Sequence, residues 1–164
     1  MLFGVENPIV DLRIHGDWEL VTKYGLNFGQ AILSNFSHKE LFDYALSCES
    51  LKIKLGGTVM TSLRTAQKCL ESPYSCIFFG CIADDELGQF IKTETKEEIL
   101  TSFDITTEAP TAWCVSIIDN EVRTLCCDVG ATKFYSKEHL IANLHLAENA
   151  RIIYTTGYFI ECYE

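Results

Sequence analysis

Proline is scarce in this 164-residue chain, at three, which excludes a proline-rich linker or stalk. No apolar run approaches the ~20 residues that a membrane helix needs. The stretch 1–11 carries Glu6 and Asp11 but no basic residue, so no signal peptide is expected. Positive charge is in short supply as well: 13 Lys and Arg face 23 Asp and Glu, for a formal net charge of −10 and a pI near 4.8. A phosphate backbone would be repelled, which argues against nucleic-acid binding driven by counterion release, and an anionic membrane surface is disfavoured on the same ground. There is no P-loop G-x-x-x-x-G-K-[ST], no G-x-G-x-x-G, no G-x-S-x-G elbow and no H-E-x-x-H. The four histidines, at 15, 38, 139 and 145, stand in polar stretches and read as surface residues rather than catalytic ones.

Apolar residues make 48% and charged residues 22% of the chain, so it is globular rather than disordered. Its length suits one ordinary domain. Eight cysteines are present, but none forms C-x-x-C, and Cys76 and Cys81 have the wrong spacing for a zinc knuckle. No metal ligand set is expected. Cys81, Cys114, Cys126 and Cys127 lie in apolar, strand-like runs. All eight are expected to be reduced thiols in a cytoplasmic chain, with the nucleus as a second compartment.

Ser37-His38-Lys39-Glu40 has the capping-box pattern, and Leu41, Phe42, Ala45 and Leu46 follow at helical spacing. Residues 51–55 alternate as a strand that Gly56-Gly57 ends, and 58–70 read as a helix closed by Pro73. Residues 75–83 form a continuous apolar run, as in a strand covered on both faces. Asp84 and Asp85 are cap candidates for a helix running to Leu100. Residues 103–118 and 123–129 read as an antiparallel hairpin turning at Asp119-Asn120-Glu121, standing off the main sheet. Ser136 opens another helix, and 152–156 read as a last strand. Alternating strands and helices predict an α/β fold with a doubly wound parallel sheet of about three strands and three helices.

Three places carry chemistry. In Asn7-Pro8-Ile9-Val10-Asp11, polar residues bracket an apolar strand near its carboxyl end, where ligands bind in open α/β sheets; Asp11 could accept two vicinal hydroxyls, or merely cap a turn. Gly56-Gly57-Thr58 sits at a strand-to-helix junction whose free N–H groups could meet a ligand, or could form a simple tight turn. Phe79-Gly80-Cys81-Ile82-Ala83-Asp84-Asp85-Glu86-Leu87-Gly88 is explained mostly as a buried strand followed by a capped helix.

Taken together, these places resemble the adenosine kinases, within the ribokinase-like carbohydrate kinases. The match runs through Leu2-Phe3-Gly4, Asn7-Pro8 with Asp11, His38 to Asp43, Gly56-Gly57 with Ala66-Gln67, and Phe78 to Ile82 with Asp84 and Gly88. Pro110-Thr111 with Cys114, Ala150-Arg151 and Gly157-Tyr158-Phe159 extend it over nearly the whole chain. The resemblance implies the N-terminal part of one ribokinase-like α/β/α kinase domain over residues 1–164, with a small β lid around 103–129. It implies transfer of the ATP γ-phosphoryl group to adenosine with Mg²⁺, giving AMP in purine salvage. It also implies that Asn7, Asp11, Gly56, Gly57, Thr58 and Thr61 surround the ribose. Ile9, Cys114, Leu125, Cys127 and Phe159 would line an apolar purine slot, and Arg123 would lie near the transferred phosphate.

Some positions depart from the family. Its ribose-binding Asn in Gly-Gly-x-x-x-Asn is Thr61 here. Its Gly before Asn-Pro is Glu6, and a Gln ahead of the lid falls at Ala31, beside Gln30. Residues 1–164 carry neither the family's G-A-G-D segment, with the catalytic base and anion hole, nor its N-x-x-E magnesium motif. The ATP and Mg²⁺ sites are thus expected to lie outside this chain, which alone should not phosphorylate adenosine. The alternatives are a non-enzymatic remnant that binds a nucleoside or a protein, or another sugar or nucleoside kinase of the superfamily. The last strand lacks a following crossover, so self-association through an open sheet edge is expected.

Overall fold

The computed structural model describes residues 1–163, Tyr163 in its backbone only. The chain opens with β1 (Leu2–Val5), β2 (Ile9–His15), α1 (Trp18–Lys23) and β3 (Ala31–Leu33). There follow α2 (Lys39–Ser47), β4 (Lys52–Leu55), α3 (Thr58–Cys69), β5 (Cys76–Ala83) and α4 (Glu86–Thr95). The rest is β6 (Leu100–Thr106), β7 (Ala112–Asp119), β8 (Val122–Asp128), α5 (Lys137–Asn143), β9 (Ile152–Tyr154) and α6 (Gly157–Ile160). These elements divide into two compact units. The first comprises Met1–Ile9, Leu55–Ala112 and the chain from Val129 onward; the second comprises Val10–Lys54 and Trp113–Asp128.

The first unit is built on a sheet of order β6-β5-β1-β9, with every neighbouring pair parallel. All eight residues of β5 are buried, as its unbroken apolar run requires for a strand covered on both faces. Phe3 and Phe79 meet edge-on at 4.9 Å in a core with Ile77 and Ala147. Full burial of Phe78 and Phe79 contributes about 1.5–3 kcal/mol each. Val59, Met60 and Leu63 are the buried face of α3, while Leu70, expected on that face, lies past the helix end and is exposed. Gly80 is required for space: a Cβ there would lie 2.7 Å from the Glu6 carbonyl oxygen and 2.8 Å from Pro8.

The second unit is a five-stranded sheet of order β3-β8-β7-β2-β4. Val10, Leu12 and Ile14 alternate as its buried positions on β2, and Leu41 and Ala45 supply the apolar face of α2. Phe42 and Trp113 pack with ring centroids 4.8 Å apart.

Several expectations are corrected. The helix expected to reach Leu100 ends at Thr95, whose hydroxyl donates back to the Ile91 carbonyl, and Leu100–Thr106 joins the parallel sheet beside β5. The antiparallel hairpin therefore comprises Ala112–Asp128, turning at Asn120-Glu121, and Phe103 belongs to the first unit's sheet. Asp11 is not near a strand's carboxyl end; Asn7 follows that end of β1, and Asp11 is the third residue of β2. The parallel sheet has four strands, with β1 and β6 among them, and the strand expected at 51–55 is β4, an edge of the second unit's sheet. Ser37 and Glu40 form no capping box. Asn35 accepts from the Ser37 N–H while His38 Nδ1 accepts from the Asn35 N–H, both at 3.0 Å. His38 is thereby buried, 4% exposed, and is no surface histidine.

Candidate functional site

In the first unit the stretch Glu6-Asn7-Pro8 leaves β1 and meets the start of α3. Gly57 precedes that helix at φ +87°, a backbone that favours glycine, and it has no side chain to cap with. Glu6 does this from a distance in sequence. Its Oε2 accepts the Val59 N–H at 2.7 Å, and its Oε1 accepts the Thr156 hydroxyl at 2.9 Å. Glu6 as a whole is 3% exposed. Burial pushes its pKa above the usual carboxylate value, while the Val59 N–H, the Thr156 hydroxyl and the Met60 and Thr58 N–H groups pull it back. A negative group also suits the positive end of α3.

Asn7 is 9% exposed. Its Nδ2 lies 4.0 Å from Cys162 Sγ, and its Oδ1 has no hydrogen-bond partner among the described residues. A buried acceptor left in that condition costs about 1–3 kcal/mol. Gly57 runs close by: a Cβ on it would lie 2.9 Å from the Asn7 carbonyl oxygen and 3.3 Å from Glu6 Oε2. The Gly56 N–H donates to the Ile9 carbonyl at 2.8 Å, fixing the entry to α3. Thr58 and Thr61 are exposed on its first turn. Phe159 is buried in α6, its ring 5.9 Å from that of Tyr135. The first unit thus brings Glu6, Asn7, Gly56, Gly57 and the α3 terminus together.

The second unit holds Asp11, Cys114, Arg123, Leu125 and Cys127. Asp11 is half-buried and pairs with Arg13 two residues along, at 3.4 Å. Cys114 on β7 stands directly opposite Cys127 on β8. Arg123 and Leu125 precede Cys127 at every second position, so the three share one face of β8. Leu125 is half-buried, and Arg123 is exposed toward the turn. Hydrogen bonding between the two thiols raises the Cys114 pKa, with burial adding to it, and lowers that of Cys127.

One cluster of the first unit went unforeseen. His139 of α5 places Nε2 3.0 Å from the Ser102 hydroxyl, and its Nδ1 lies 3.8 Å from Asp104 Oδ1. Asp104 Oδ2 accepts the Ser136 N–H and hydroxyl at 2.9 and 2.7 Å. The order resembles a Ser-His-Asp triad, but Ser102 is buried in β6 and one Asp104 oxygen is engaged at the start of α5. This network fastens α5 to β6, and His139 is half-buried rather than a surface residue. The signal available in the sequence was Ser136 as a cap, with Ser102 and Asp104 on one strand face. A surface cleft of about 330 Å³, lined by Arg64, Gln67, Lys68, Tyr74 and Glu98 among others, contains none of the expected site residues. Among the described residues no three His, Cys, Asp or Glu side chains converge as a metal site.

The pfkB family of carbohydrate kinases matches residues 22–163. An adenosine kinase of Schizophyllum commune is 30% identical over 162 residues, covering 97% of this chain and 47% of the relative. The crystal structure of Anopheles gambiae adenosine kinase in complex with P1,P4-di(adenosine-5) tetraphosphate superposes with a TM-score of 0.92 at 28% identity, over 99% of this chain and 49% of that one. Schistosoma mansoni adenosine kinase in complex with adenosine matches with a TM-score of 0.89 at 25% identity, over 98% and 48%. The chain spans about half the length of these relatives, and its fold is the ribokinase-like α/β fold of adenosine kinases.

Proposed function

This chain belongs to the pfkB family of carbohydrate kinases, and from that premise we propose that it is an adenosine-kinase polypeptide that takes part in binding adenosine for ATP-dependent phosphorylation. The observation that carries this reading is the alignment of 97% of the chain with a relative named adenosine kinase. The orphaned Asn7 Oδ1 supports it, since a ribose hydroxyl would give that buried acceptor a donor. In the first unit, Asn7, Gly56, Gly57, Thr58 and Thr61 take the sugar hydroxyls, and Ile9 and Phe159 offer apolar surface. In the second unit, Asp11 accepts a hydroxyl, Cys114, Leu125 and Cys127 offer the purine an apolar face, and Arg123 serves the transferred phosphate. Mg²⁺ and ATP would be held by residues other than these. The cytoplasm is the proposed location, and self-association through a sheet edge a further property; no described helix is long and apolar enough to cross a membrane.

Glu6 favours a second reading, a binding protein without kinase activity. Its carboxylate already takes the Val59 N–H at the head of α3, where the proposed ribose site begins.

Calorimetric titration of adenosine into the chain tests the first reading. Asp11→Ala is expected to weaken binding by about 10–100-fold, as loss of a hydrogen bond to a charged group (~1.5–3 kcal/mol) implies. Thr61→Asn is expected to strengthen it. Unchanged affinity in Asp11→Ala overturns the site. A parent chain that binds no adenosine overturns the first reading.

A further inference from the structure

A pair of thiols stands out in the second unit. Cys114 and Cys127 occupy directly opposed positions of the β7–β8 hairpin. That hairpin closes at Asp119 and Val122 across the two residues Asn120-Glu121, with Asn120 at φ +52°. Hydrogen-bonded and open pairs alternate from such a turn, which makes Cys114–Cys127 an open pair. Opposed residues of that type have Cα atoms roughly 4.5 Å apart, within the range a disulfide spans. Cys126, the neighbour in sequence, faces the other side of β8 opposite Val115, and so cannot compete for Cys114. Cys114 is buried, whereas Cys127 is half-buried.

We propose that Cys114 and Cys127 form a dithiol site that closes to a cross-strand disulfide on exchange with a small disulfide of the glutathione class. The first step is attack by the Cys127 thiolate on one sulfur of that disulfide. A Cys127 mixed disulfide forms, the S–S bond of the small molecule breaks, and one small thiolate leaves. Cys114 then attacks Cys127 Sγ, expelling the second small thiol, which carries away the Cys114 proton. Two protein thiols are oxidised and one small disulfide is reduced to two thiols, so atoms and electrons balance. The sequence of attack follows from the geometry. Cys127 has the solvent access, and the buried Cys114 donates its S–H to the Cys127 sulfur, which favours the thiolate there. The two thiols are also the apolar face proposed for the purine, so exchange is tested with no adenosine present, and closure would fasten the open end of the hairpin by a covalent bond.

The experiment uses the whole chain, reduced and then incubated with oxidised glutathione under native conditions. Thiol titration of the denatured product is expected to find two of the eight thiols lost, with an intact mass lower by two hydrogens and no stable adduct. Peptide mapping should join Cys114 to Cys127. In Cys114→Ala the glutathione adduct should persist on Cys127, because the resolving thiol is gone. In Cys127→Ala neither adduct nor disulfide should form at Cys114. Cys126→Ser should close as the parent does, which guards against a variant that merely fails to fold. A parent chain with all eight thiols free after oxidation, a stable adduct on Cys127, or a disulfide involving Cys126 overturns the proposal.

Discussion

At the scale of single residues, Glu6 has the largest leverage. It is a buried carboxylate whose ionised form is held by backbone N–H groups, that of Val59 at 2.7 Å, and by the Thr156 hydroxyl at 2.9 Å, yet burial outweighs them and raises its pKa. The folded chain therefore holds the Glu6 proton more tightly than the unfolded chain, whose value is near 4.5. Stability from this group is fully present below pH 4.5 and is lost as pH rises through the raised folded value. Glu6→Gln is expected to remove that dependence. The stability difference between variant and parent, from urea melts across the acid-to-neutral range, should move in favour of Gln as pH rises. A difference that stays flat would mean that Glu6 does not titrate in that window. In the sequence Glu6 stands out as a replacement for the family's Gly before Asn-Pro, but its partner Thr156 lies 150 residues away and no spacing could reveal it. Cys114 and Cys127 were legible as apolar-run cysteines, whereas their opposition depends on strand register.

Among the elements, α3 and β5 were read nearly to the residue, because their apolar periods agree with what they bury. Element α2 was placed correctly but capped wrongly. The Asn35–His38 pair closes a 3-10 turn ahead of it, and the Ser37 hydroxyl donates to Asn35 Oδ1 instead of capping. Asn35→Ala should therefore cost about 1 kcal/mol, read in circular dichroism as a melting point lower by roughly 2–4 °C. Ser37→Ala should cost less. An equal loss from Ser37→Ala would restore the Ser-x-x-Glu reading. The boundary between α4 and β6 was missed for a local reason. No glycine or proline marks it, and the turn is closed by Glu98 and Ile99 N–H groups donating to the Thr95 carbonyl. Strands β1 and β3 are three or four residues long, too short for a period to declare itself.

For the whole molecule, the sheet order sets the surface chemistry. Strand β9 is the edge of the parallel sheet, and Ile152, Ile153 and Tyr154 are all exposed, Ile153 at 70%. An apolar edge of this kind templates pairing between chains. If the proposed self-association uses this edge, Ile153→Lys shifts sedimentation toward the monomer, and an unchanged distribution overturns the proposal. The same order, β6-β5-β1-β9, has a kinetic side. Strand β1 is translated first yet lies inside the sheet, between Cys76–Phe79 and Ile152–Tyr154. At about 5–20 residues per second, it waits roughly 8–30 s on the ribosome for its second neighbour. Through that interval β1 has only β5 to pair with, and its other flank stays open until β9 is made. A nascent chain of this design calls for a holdase, and its yield in cells should follow chaperone supply more closely than its final stability.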